Sequence, residues 1–452
     1  MEELLVLVKE LNSILWNSLL IFLLMGTGIF YTLKFKFVQI RKFKDGAKRI
    51  FGNISLKGKA AGSDGMSSFQ ALATAIAAQV GTGNLAGAAT AIISGGPGAI
   101  FWMWVSAFFG MATVFGEAVL GQVFKTKVNG EVTGGPAYYI SKGFNNSILS
   151  KILAAFFAIS CILALGFMGN AVQANSISDA FSNALGINPL ITGIIIALLA
   201  GFVFFGGIKR IASVTEKVVP VMALLYIILS LIIILINYNH IIPAFRDIFV
   251  GAFDPQAVLG GALGVTIKQS IRYGVARGLF SNEAGMGSTP HAHAVAKVKQ
   301  SCEQGCVAIF TVFIDTFIVL NCTALVILTT GANKLNVSGI RVTQKAFELT
   351  LGQHGNTLVA ICLFFFAFST IIGWYFFGEA NIKYLFNGKG INIYRILVMI
   401  IIVVGSTLKV DLVWEMADLF NGLMVIPNLV GLLGLYKIVS RELNEYENFE
   451  NN

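Results

Sequence analysis

Charged side chains are scarce in this sequence. Only 12% of its 452 residues are Asp, Glu, Lys or Arg and 56% are hydrophobic, whereas a soluble globular domain carries roughly 25% charged residues. A water-soluble core cannot bury that much apolar surface. The composition therefore excludes an ordinary soluble domain and indicates an integral membrane protein.

The sequence also lacks the residue groups of an enzyme or a metal protein. Its five cysteines are odd in number, and we interpret them as small buried hydrophobic residues, because they show neither disulfide nor zinc-ligand spacing. The four histidines are scattered apart from the pair His291 and His293, for which no third metal ligand is evident. No nucleophile with an adjacent base is recognisable. An enzyme is therefore not expected.

A cleavable leader and barrel strands are likewise missing. The first residues, MEELLVLVKELNS, are acidic where a signal peptide would be basic, so we expect the first apolar helix to be retained. Apolar runs such as 191–205 and 218–236 are continuous, without the period of two that a barrel strand needs. Because lipid offers the backbone no hydrogen-bond partners, these runs predict an all-α membrane protein.

Apolar stretches long enough to cross a hydrocarbon layer of about 30 Å recur along the chain. They predict eleven transmembrane helices, at residues 13–33, 66–93, 98–124, 150–180, 189–206, 213–237, 257–296, 303–330, 355–378, 392–408 and 411–437.

The net charge of +9 is a signal of topology, and no nucleic-acid partner is expected. Nine Lys or Arg lie between Lys34 and Lys59, so by the positive-inside rule this loop is cytoplasmic and the N-terminus is outside. When that orientation is carried along the chain, the cytoplasmic segments hold 23 basic residues and the outer segments six. The alternation predicts an inner-membrane protein with a cytoplasmic C-terminus.

Two predicted helices contain glycine-rich polar stretches at mid-depth. The first is AAQVGTGN at 77–84, and the second is RYGVARGLFSNEAGMGS at 272–288. Both are typical of broken helices, and unwound backbone inside a membrane is tolerated where it lines a cavity. The alternative for the first stretch is close helix packing through Gly83 and Gly87, but packing alone does not explain the polar residues beside those glycines. We therefore expect a binding site at the membrane midplane.

Three motifs resemble one transporter family. They are GGPGAIFWMWVSAFFG at 95–110, GTGN at 81–84 and GLFSNEAGMGSTPHAHA at 278–294, and they are similar to the alanine or glycine:cation symporters. The resemblance covers essentially the whole chain. It implies a leucine-transporter-like fold, in which two inverted repeats of five helices follow one extra N-terminal helix, and sodium-driven symport.

The resemblance also implies boundaries for these parts. The extra helix and its basic loop would occupy 1–60, the first repeat 61–240, the second repeat 241–440 and a cytoplasmic tail 441–452. Each repeat would then open with one of the two broken helices.

The sodium ligands are implied by the same fold. The unwound VGTGN stretch would present the carbonyls of Ala77 and Val80, and the eighth helix of the ten-helix core would add the hydroxyls of Ser369 and Thr370 and the carbonyl of Phe366. Five oxygens suit a hard monovalent cation. The alternative for the two hydroxyls is bonding to the preceding helical turn.

The implied substrate site surrounds the first break. The amides of Thr82 and Gly83 would hold a carboxylate, since helix N-termini bind anions. The acceptors for an ammonium group would be Gln79, Asn170 and free carbonyls near Gly274 and Gly278. The walls would be Phe167 and Trp374, leaving room for a methyl-sized side chain; Asn170 is alternatively a helix-to-helix contact, and Trp374 an interfacial anchor.

Charges inside the apolar runs complete the set of polar candidates. Such residues are costly in hydrocarbon and are expected to face protein or water, either as gating pairs or as structural ion pairs. They are Glu117, Lys268, Arg272, Arg277, Glu283, Asp315 and Glu379.

Taken together, the residues and the family that they resemble predict a sodium-coupled importer of small neutral amino acids such as alanine or glycine that works by alternating access. A proton-coupled amino-acid transporter is the alternative. A channel would need a continuous polar pore, and broken helices fit an occluded midplane site better.

Overall fold

A computed structural model of the chain describes residues 2–51, 65–259 and 265–451. Within these ranges the chain is mostly helical, and the single sheet is a hairpin in which β1 (Thr126–Val128) pairs antiparallel with β2 (Glu131–Thr133). Lys57, Lys59 and residues 260–264 of the seventh predicted span lie outside the described residues.

The helices up to residue 236 correspond to the first six predicted spans and their loops. They are α1 (Glu2–Ile14), α2 (Leu20–Lys34), α3 (Val38–Arg41), α4 (Phe43–Phe51), α5 (Ser68–Gln79), α6 (Ala88–Gly95), α7 (Gly98–Val123), α8 (Pro136–Gly143), α9 (Ile148–Cys161), α10 (Asn170–Leu185), α11 (Pro189–Phe204) and α12 (Gly207–Ile236). Three π-helical segments belong to this part, namely Leu15–Leu19 between α1 and α2, Gly83–Gly87 before α6 and Ile162–Gly169 between α9 and α10.

The later helices correspond to the remaining five predicted spans. They are α13 (Ile241–Phe253), α14 (Pro255–Leu259), α15 (Ile267–Asn282), α16 (Pro290–Ala294), α17 (Ser301–Val312), α18 (Asn321–Thr330), α19 (Ile340–Leu351), α20 (His354–Phe386), α21 (Ile391–Thr407) and α22 (Val410–Asn451). The π-helical segment Phe313–Leu320 joins α17 to α18, and short 3-10 turns occupy Tyr238–His240 and Ala332–Lys334.

Within the described ranges, six continuous helical segments are long and apolar enough to span a membrane, and a seventh candidate is the pair Ser68–Gln79 and Gly83–Gly95, bent by 42°. Three shorter helices, α2, α11 and α21, are also apolar. Helices thus lie at all eleven predicted positions, and the count of eleven spans stays a prediction. Large apolar side chains such as Phe22, Phe202 and Leu224 are exposed on the outside, as expected of a surface that faces lipid.

The two broken helices lie at the centre of the bundle. The α5 half packs on α12 and α20, while α15 packs on α6 and α7. This arrangement brings the break at residues 80–82 next to α20 and the end of α15.

The N-terminal helices run beside α22. Asn12 donates to the carboxylate of Glu415 at 2.6 Å, and the Tyr31 hydroxyl donates to the carbonyl of Leu432 at 2.7 Å. The later residue of the N-terminal segment contacts the later residue of α22, so the N-terminal helices and α22 run in the same direction. The helix α22 also continues through residue 441, so the predicted tail 441–452 begins inside a helix.

The basic segments gather at one end of the bundle. Arg41 pairs with Glu447 at 2.7 Å and Arg49 with Glu303 at 3.0 Å. Lys383 pairs with Glu131 of the hairpin at 2.7 Å. These contacts connect segments that the charge pattern assigns to the same side of the membrane.

Candidate functional site

The first broken helix is interrupted where the sequence predicts it. The helix α5 ends at Gln79, Val80 leaves the helical conformation at φ −81° and ψ 91°, and a π-helical turn resumes at Gly83. A Cβ atom on Gly81 would lie 3.1 Å from Cβ of Thr370, so only glycine lets α20 approach the break this closely. The amide of Gly81 is satisfied by Oδ1 of Asn84 at 2.9 Å.

The predicted sodium ligands converge on the hydroxyl of Thr370. Its Oγ1 lies 2.8 Å from the carbonyl oxygen of Ala77, 3.4 Å from that of Val80 and 3.0 Å from that of Phe366. The hydroxyl of Ser369 bonds to the same Phe366 carbonyl at 2.8 Å and lies 3.4 Å from the sulfur of Met222. Three carbonyls and the Thr370 hydroxyl are therefore concentrated between α5 and α20, and these oxygens fit a hard cation. Both hydroxyls also bond to the preceding turn of α20, as the alternative predicts, and the Ser369 hydroxyl lies on the side of α12.

The second helix breaks later than the sequence predicts. The helix α15 runs without interruption to Asn282, and Glu283 then takes a left-handed conformation at φ 58°. Gly285 and Gly287 also have positive φ, at 89° and 80°. The chain becomes helical again at Pro290.

Gly274 and Gly278 therefore do not supply free carbonyls, and that prediction is wrong. Both lie inside α15 and face α7: a Cβ on Gly274 would lie 2.7 Å from Cβ of Trp102, and one on Gly278 3.0 Å from Oγ of Ser106. Their function is close helix packing. The glycine-rich stretch thus combines packing glycines with glycines that break the helix.

A buried carboxylate on α7 holds the second break in place. Glu117 accepts hydrogen bonds from the amides of Gly285 at 3.2 Å and Gly287 at 2.9 Å, and from Nδ2 of Asn428 at 2.6 Å. These hydrogen bonds satisfy the two backbone amides and the buried carboxylate, which would otherwise lack partners inside the bundle. The intramembrane Glu117 is thus part of the scaffold of the break.

Gln173 of α10 is a site residue that the sequence did not reveal. Its Oε1 accepts from the backbone amide of Thr82 at 3.0 Å and from the Thr82 hydroxyl at 2.6 Å. Its Nε2 is buried and has no partner among the described residues. Gln173 thus covers the amide that the sequence assigns to a carboxylate. Because α10 carries many other polar residues, nothing in the sequence singled out Gln173.

A second unpredicted group surrounds Asp315, which is fully buried. Its carboxylate accepts from Asn84 at 2.7 Å, from the hydroxyl of Ser281 at 3.0 Å and from that of Thr316 at 2.9 Å. These hydrogen bonds join the first break, the end of α15 and the π-helical segment Phe313–Leu320. The sequence identified Asp315 as an intramembrane charge, without these partners.

Trp374 lies at the junction of the two breaks. It is 1% exposed, its Nε1 donates to the carboxylate of Glu283, and its ring meets Phe280 edge-on at 5.5 Å. A Cβ on Gly169 would lie 2.5 Å from its ring. These contacts exclude the alternative of an interfacial anchor for Trp374.

Two predicted ammonium acceptors keep an unused oxygen beside this junction. Gln79 donates its Nε2 to the carbonyl of Asn282 at 2.7 Å, and Asn170 donates its Nδ2 to Gly166 at 3.0 Å. Both side chains are buried, and neither amide oxygen has a partner among the described residues. The breaks therefore carry polar atoms that are available to a ligand.

Phe167 lies elsewhere, and its prediction as a pocket wall is corrected. Its ring packs against Tyr394 of α21 at 5.9 Å, and it lines an outer groove with Ile382 and Phe386. Phe167 belongs to the π-helical segment Ile162–Gly169, and its ring faces α21 and not the broken helices.

Two of the predicted intramembrane charges, Arg277 and Lys268, are turned away from the breaks. Arg277 forms a two-bond ion pair with Asp418, at 2.8 and 2.7 Å, and its guanidinium lies 4.7 Å above the ring of Trp414. Arg277 and Trp414 line a cavity of about 250 Å³ toward the end opposite the basic segments. Lys268 is exposed in the first turn of α15. The Arg277 charge is thus turned toward α22 and not toward the ammonium acceptors.

The His pair shows no metal-site geometry. His291 contacts Asn381 at 2.9 Å and His293 contacts Gln304 at 2.9 Å. No group of three or more His, Cys, Asp or Glu suitable for a metal ion occurs within the described ranges.

Solved structures with the same fold are known. The chain resembles the transporter MhsT in complex with L-phenylalanine, with a TM-score of 0.60 and 14% identity over 80% of this chain and 89% of MhsT. It also resembles a manganese transporter of Eremococcus coleocola, with a TM-score of 0.52 and 15% identity over 81% of this chain and 78% of that one. These similarities support the leucine-transporter-like fold.

Several relatives match over nearly the full length. The chain is 43% identical to "Sodium/alanine symporter AgcS" of Methanococcus maripaludis, over 99% of this chain and 98% of that protein. It is 40% identical to a Bacillus subtilis protein named as a sodium/proton-dependent alanine carrier, over 97% and 92% of the two chains. A second Bacillus subtilis relative, named as a sodium/glutamine symporter, is 42% identical over 96% and 89%.

A family profile described as "Sodium:alanine symporter family" matches residues 1–452. With the broken helices, the polar atoms around them and the full-length relatives, this match identifies the chain as a transporter and not an enzyme: it belongs to the sodium:alanine symporter family.

Proposed function

We propose that the protein imports small neutral amino acids such as alanine and glycine together with sodium, by alternating access. The observation that carries this proposal is the cluster at the first break, where the hydroxyl of Thr370 lies within 2.8 to 3.4 Å of three backbone carbonyls. Sodium prefers hard oxygen ligands, and its charge would compensate the carbonyl dipoles at the end of α5.

The substrate site adjoins this cluster. Thr82 begins the second half of the broken helix, so its amide is placed to bind a carboxylate. The substrate carboxylate would replace Oε1 of Gln173 as the acceptor of this amide. The free Nε2 of Gln173 supplies a second donor. Gln79 and Asn170 supply acceptors for the ammonium group, and Trp374 limits the space for the side chain. A small zwitterion satisfies this combination of donors, acceptors and walls.

Relatives support amino-acid and cation symport in general. The names of two of them specify alanine with sodium, or alanine with sodium and protons, while a third specifies glutamine. The choice of alanine or glycine for this chain therefore rests on the close packing around Trp374, which is 1% exposed and touches Gly169. Phe280 closes one side of that space.

Proton coupling is the second candidate. It is favoured by Asp315, a fully buried carboxylate whose partners among the described residues are neutral. Such a group is stabilised by taking up either a proton or a cation.

We also propose the topology that the charge pattern predicts: eleven spans in the inner membrane, with the N-terminus outside and the C-terminus in the cytoplasm. The gathering of Arg41, Arg49 and Lys383 at one end supports it. The two breaks, each at the start of a proposed five-helix half, support the inverted repeat.

The test is uptake of labelled alanine into proteoliposomes under imposed gradients. A sodium gradient should drive accumulation, and a proton gradient without sodium should not. Accumulation driven by the proton gradient alone would favour the second candidate, whereas no accumulation of alanine or glycine under either gradient would refute the proposed substrate class.

A further inference from the structure

Glu283 occupies a position where a side chain of its size is unusual. It ends α15 in a left-handed conformation at φ 58°, a region that glycine and asparagine normally supply at a helix end. A glutamate that takes this conformation indicates that its carboxylate is needed at that place. The side chain is fully buried.

The carboxylate of Glu283 points to the proposed substrate site. One oxygen accepts from Nε1 of Trp374, and the other accepts from the hydroxyl of Ser288 at 2.5 Å. The preceding residue, Asn282, receives the side-chain amide of Gln79 at 2.7 Å. Glu283 is thereby fixed between the wall of the site and one of its unused acceptors.

Glu283 has fewer partners than the other buried carboxylates at the breaks. Glu117 accepts from three amide groups, and Asp315 accepts from three different side chains. Two donors leave part of the capacity of the Glu283 carboxylate unused, since an ionised carboxylate offers about four acceptor positions. No ion pair of the described part of the chain involves Glu283.

A fully buried carboxylate with few hydrogen-bond donors is stabilised by a compensating positive charge. The amide oxygens of Gln79 and Asn170 are acceptors without partners among the described residues. Gln79 binds the carbonyl of Asn282, next to Glu283, and Asn170 follows Gly169, which packs against the Trp374 ring. With the Glu283 carboxylate they offer three acceptors on the segments that surround Trp374. An ammonium group has three donors and one positive charge, and it matches this set in number and in charge.

We propose that Glu283 is the counter-charge for the ammonium group of the transported amino acid and thereby selects amino acids over carboxylic acids of the same size. The inference rests on the proposed function and adds a residue to it. It also fixes the orientation of the ligand, with the carboxylate toward Thr82 and Gln173 and the ammonium toward Glu283.

The test compares Glu283→Gln with the full-length wild type. Glutamine preserves the size of the side chain and keeps an oxygen that accepts from Trp374. Its amide nitrogen can donate to the Ser288 hydroxyl, which donates to Glu283 in the wild type. Binding is measured in sodium by competition against labelled alanine, with alanine and propionate as competitors. Glu415→Gln is the matched control, since Glu415 is a carboxylate on α22 that binds Asn12 away from the breaks.

Removal of one partner from a buried, hydrogen-bonded charge pair typically lowers affinity by about 30-fold or more. We therefore expect Glu283→Gln to bind alanine about 30-fold or more weakly, and to gain competition by propionate because no carboxylate remains unpaired. The control should retain the wild-type preference. A gain of propionate binding does not arise from a misfolded variant.

Three results would overturn the inference. They are wild-type alanine affinity in Glu283→Gln, an unchanged ratio of alanine to propionate affinity in that variant, and equal competition by propionate and alanine in the wild type. The last measurement needs no variant, so the inference can be refuted even if Glu283→Gln fails to fold. Absence of sodium-dependent alanine binding in the wild type would instead refute the proposed function itself.

Discussion

Replacement of Thr370 tests the sodium site most directly. Its hydroxyl is the point at which the carbonyls of Ala77, Val80 and Phe366 meet, at 2.8, 3.4 and 3.0 Å. Thr370→Val keeps the shape of the side chain and removes this oxygen. Thr370→Ser keeps the oxygen and removes a methyl group, which makes it the matched control.

The expected magnitude follows from the number of ligands. Loss of one of five oxygens should weaken sodium binding at least as much as the loss of an outer-shell partner does at other metal sites, which is about 10- to 100-fold, or about 1.4 to 2.8 kcal/mol. The valine variant also leaves a buried carbonyl without its donor, which costs about 1 to 3 kcal/mol of stability. Sodium dependence and folding therefore change together and have to be measured separately.

The assay is alanine uptake in proteoliposomes at increasing sodium concentration, combined with thermal unfolding of each variant in sodium and in choline chloride. Thr370→Val should require about 10- to 100-fold more sodium for half-maximal uptake and lose the stabilisation that sodium gives the wild type. Thr370→Ser should remain near the wild type. If the valine variant showed the sodium requirement of the serine variant, the cation would have to bind elsewhere.

Three further predictions follow from the site. Trp374→Ala should admit leucine as a competitor of alanine because the ring limits the space for the side chain, whereas Trp374→Phe should not; failure of leucine to compete in an alanine variant that still binds alanine would contradict this role. Glu117→Ala should lower the free energy of unfolding by about 2 to 4 kcal/mol, since it leaves the amides of Gly285 and Gly287 without an acceptor, and an unchanged denaturation midpoint would count against its structural role. Glycine and both enantiomers of alanine should compete with labelled L-alanine while alanine amide does not, which isothermal titration in sodium can decide.

The sequence was most informative where a local pattern has one structural meaning. The stretch VGTGN at 80–84 predicted a break, and the helix is interrupted there; Gly81, which has no side chain, lets Thr370 approach the break. Once the family resemblance had paired this stretch with the eighth core helix, the predicted sodium ligands also proved to be neighbours. Their binding of sodium remains a prediction.

The same reasoning failed where one residue type has two uses. Glycine serves both to pack helices and to break them, so the stretch around Gly274 and Gly285 did not reveal which glycines do which. The structure assigns Gly274 to contact with α7 and Gly285 to the break. Phe167 was misplaced because the resemblance implied a wall of the substrate site there, whereas its ring packs against Tyr394 of α21.

By itself, the sequence determined the membrane class, the helical positions, the gathering of basic residues at one end and the first break, because length, apolarity and glycine act locally. The tertiary structure alone decided which polar atoms meet. Thr82 and Gln173 are 91 residues apart, Glu283 and Trp374 are also 91 apart, and Asn84 and Asp315 are 231 apart. Such pairs depend on the rotation and depth of whole helices, which are set by packing across the bundle and not by the residues next to them in the chain.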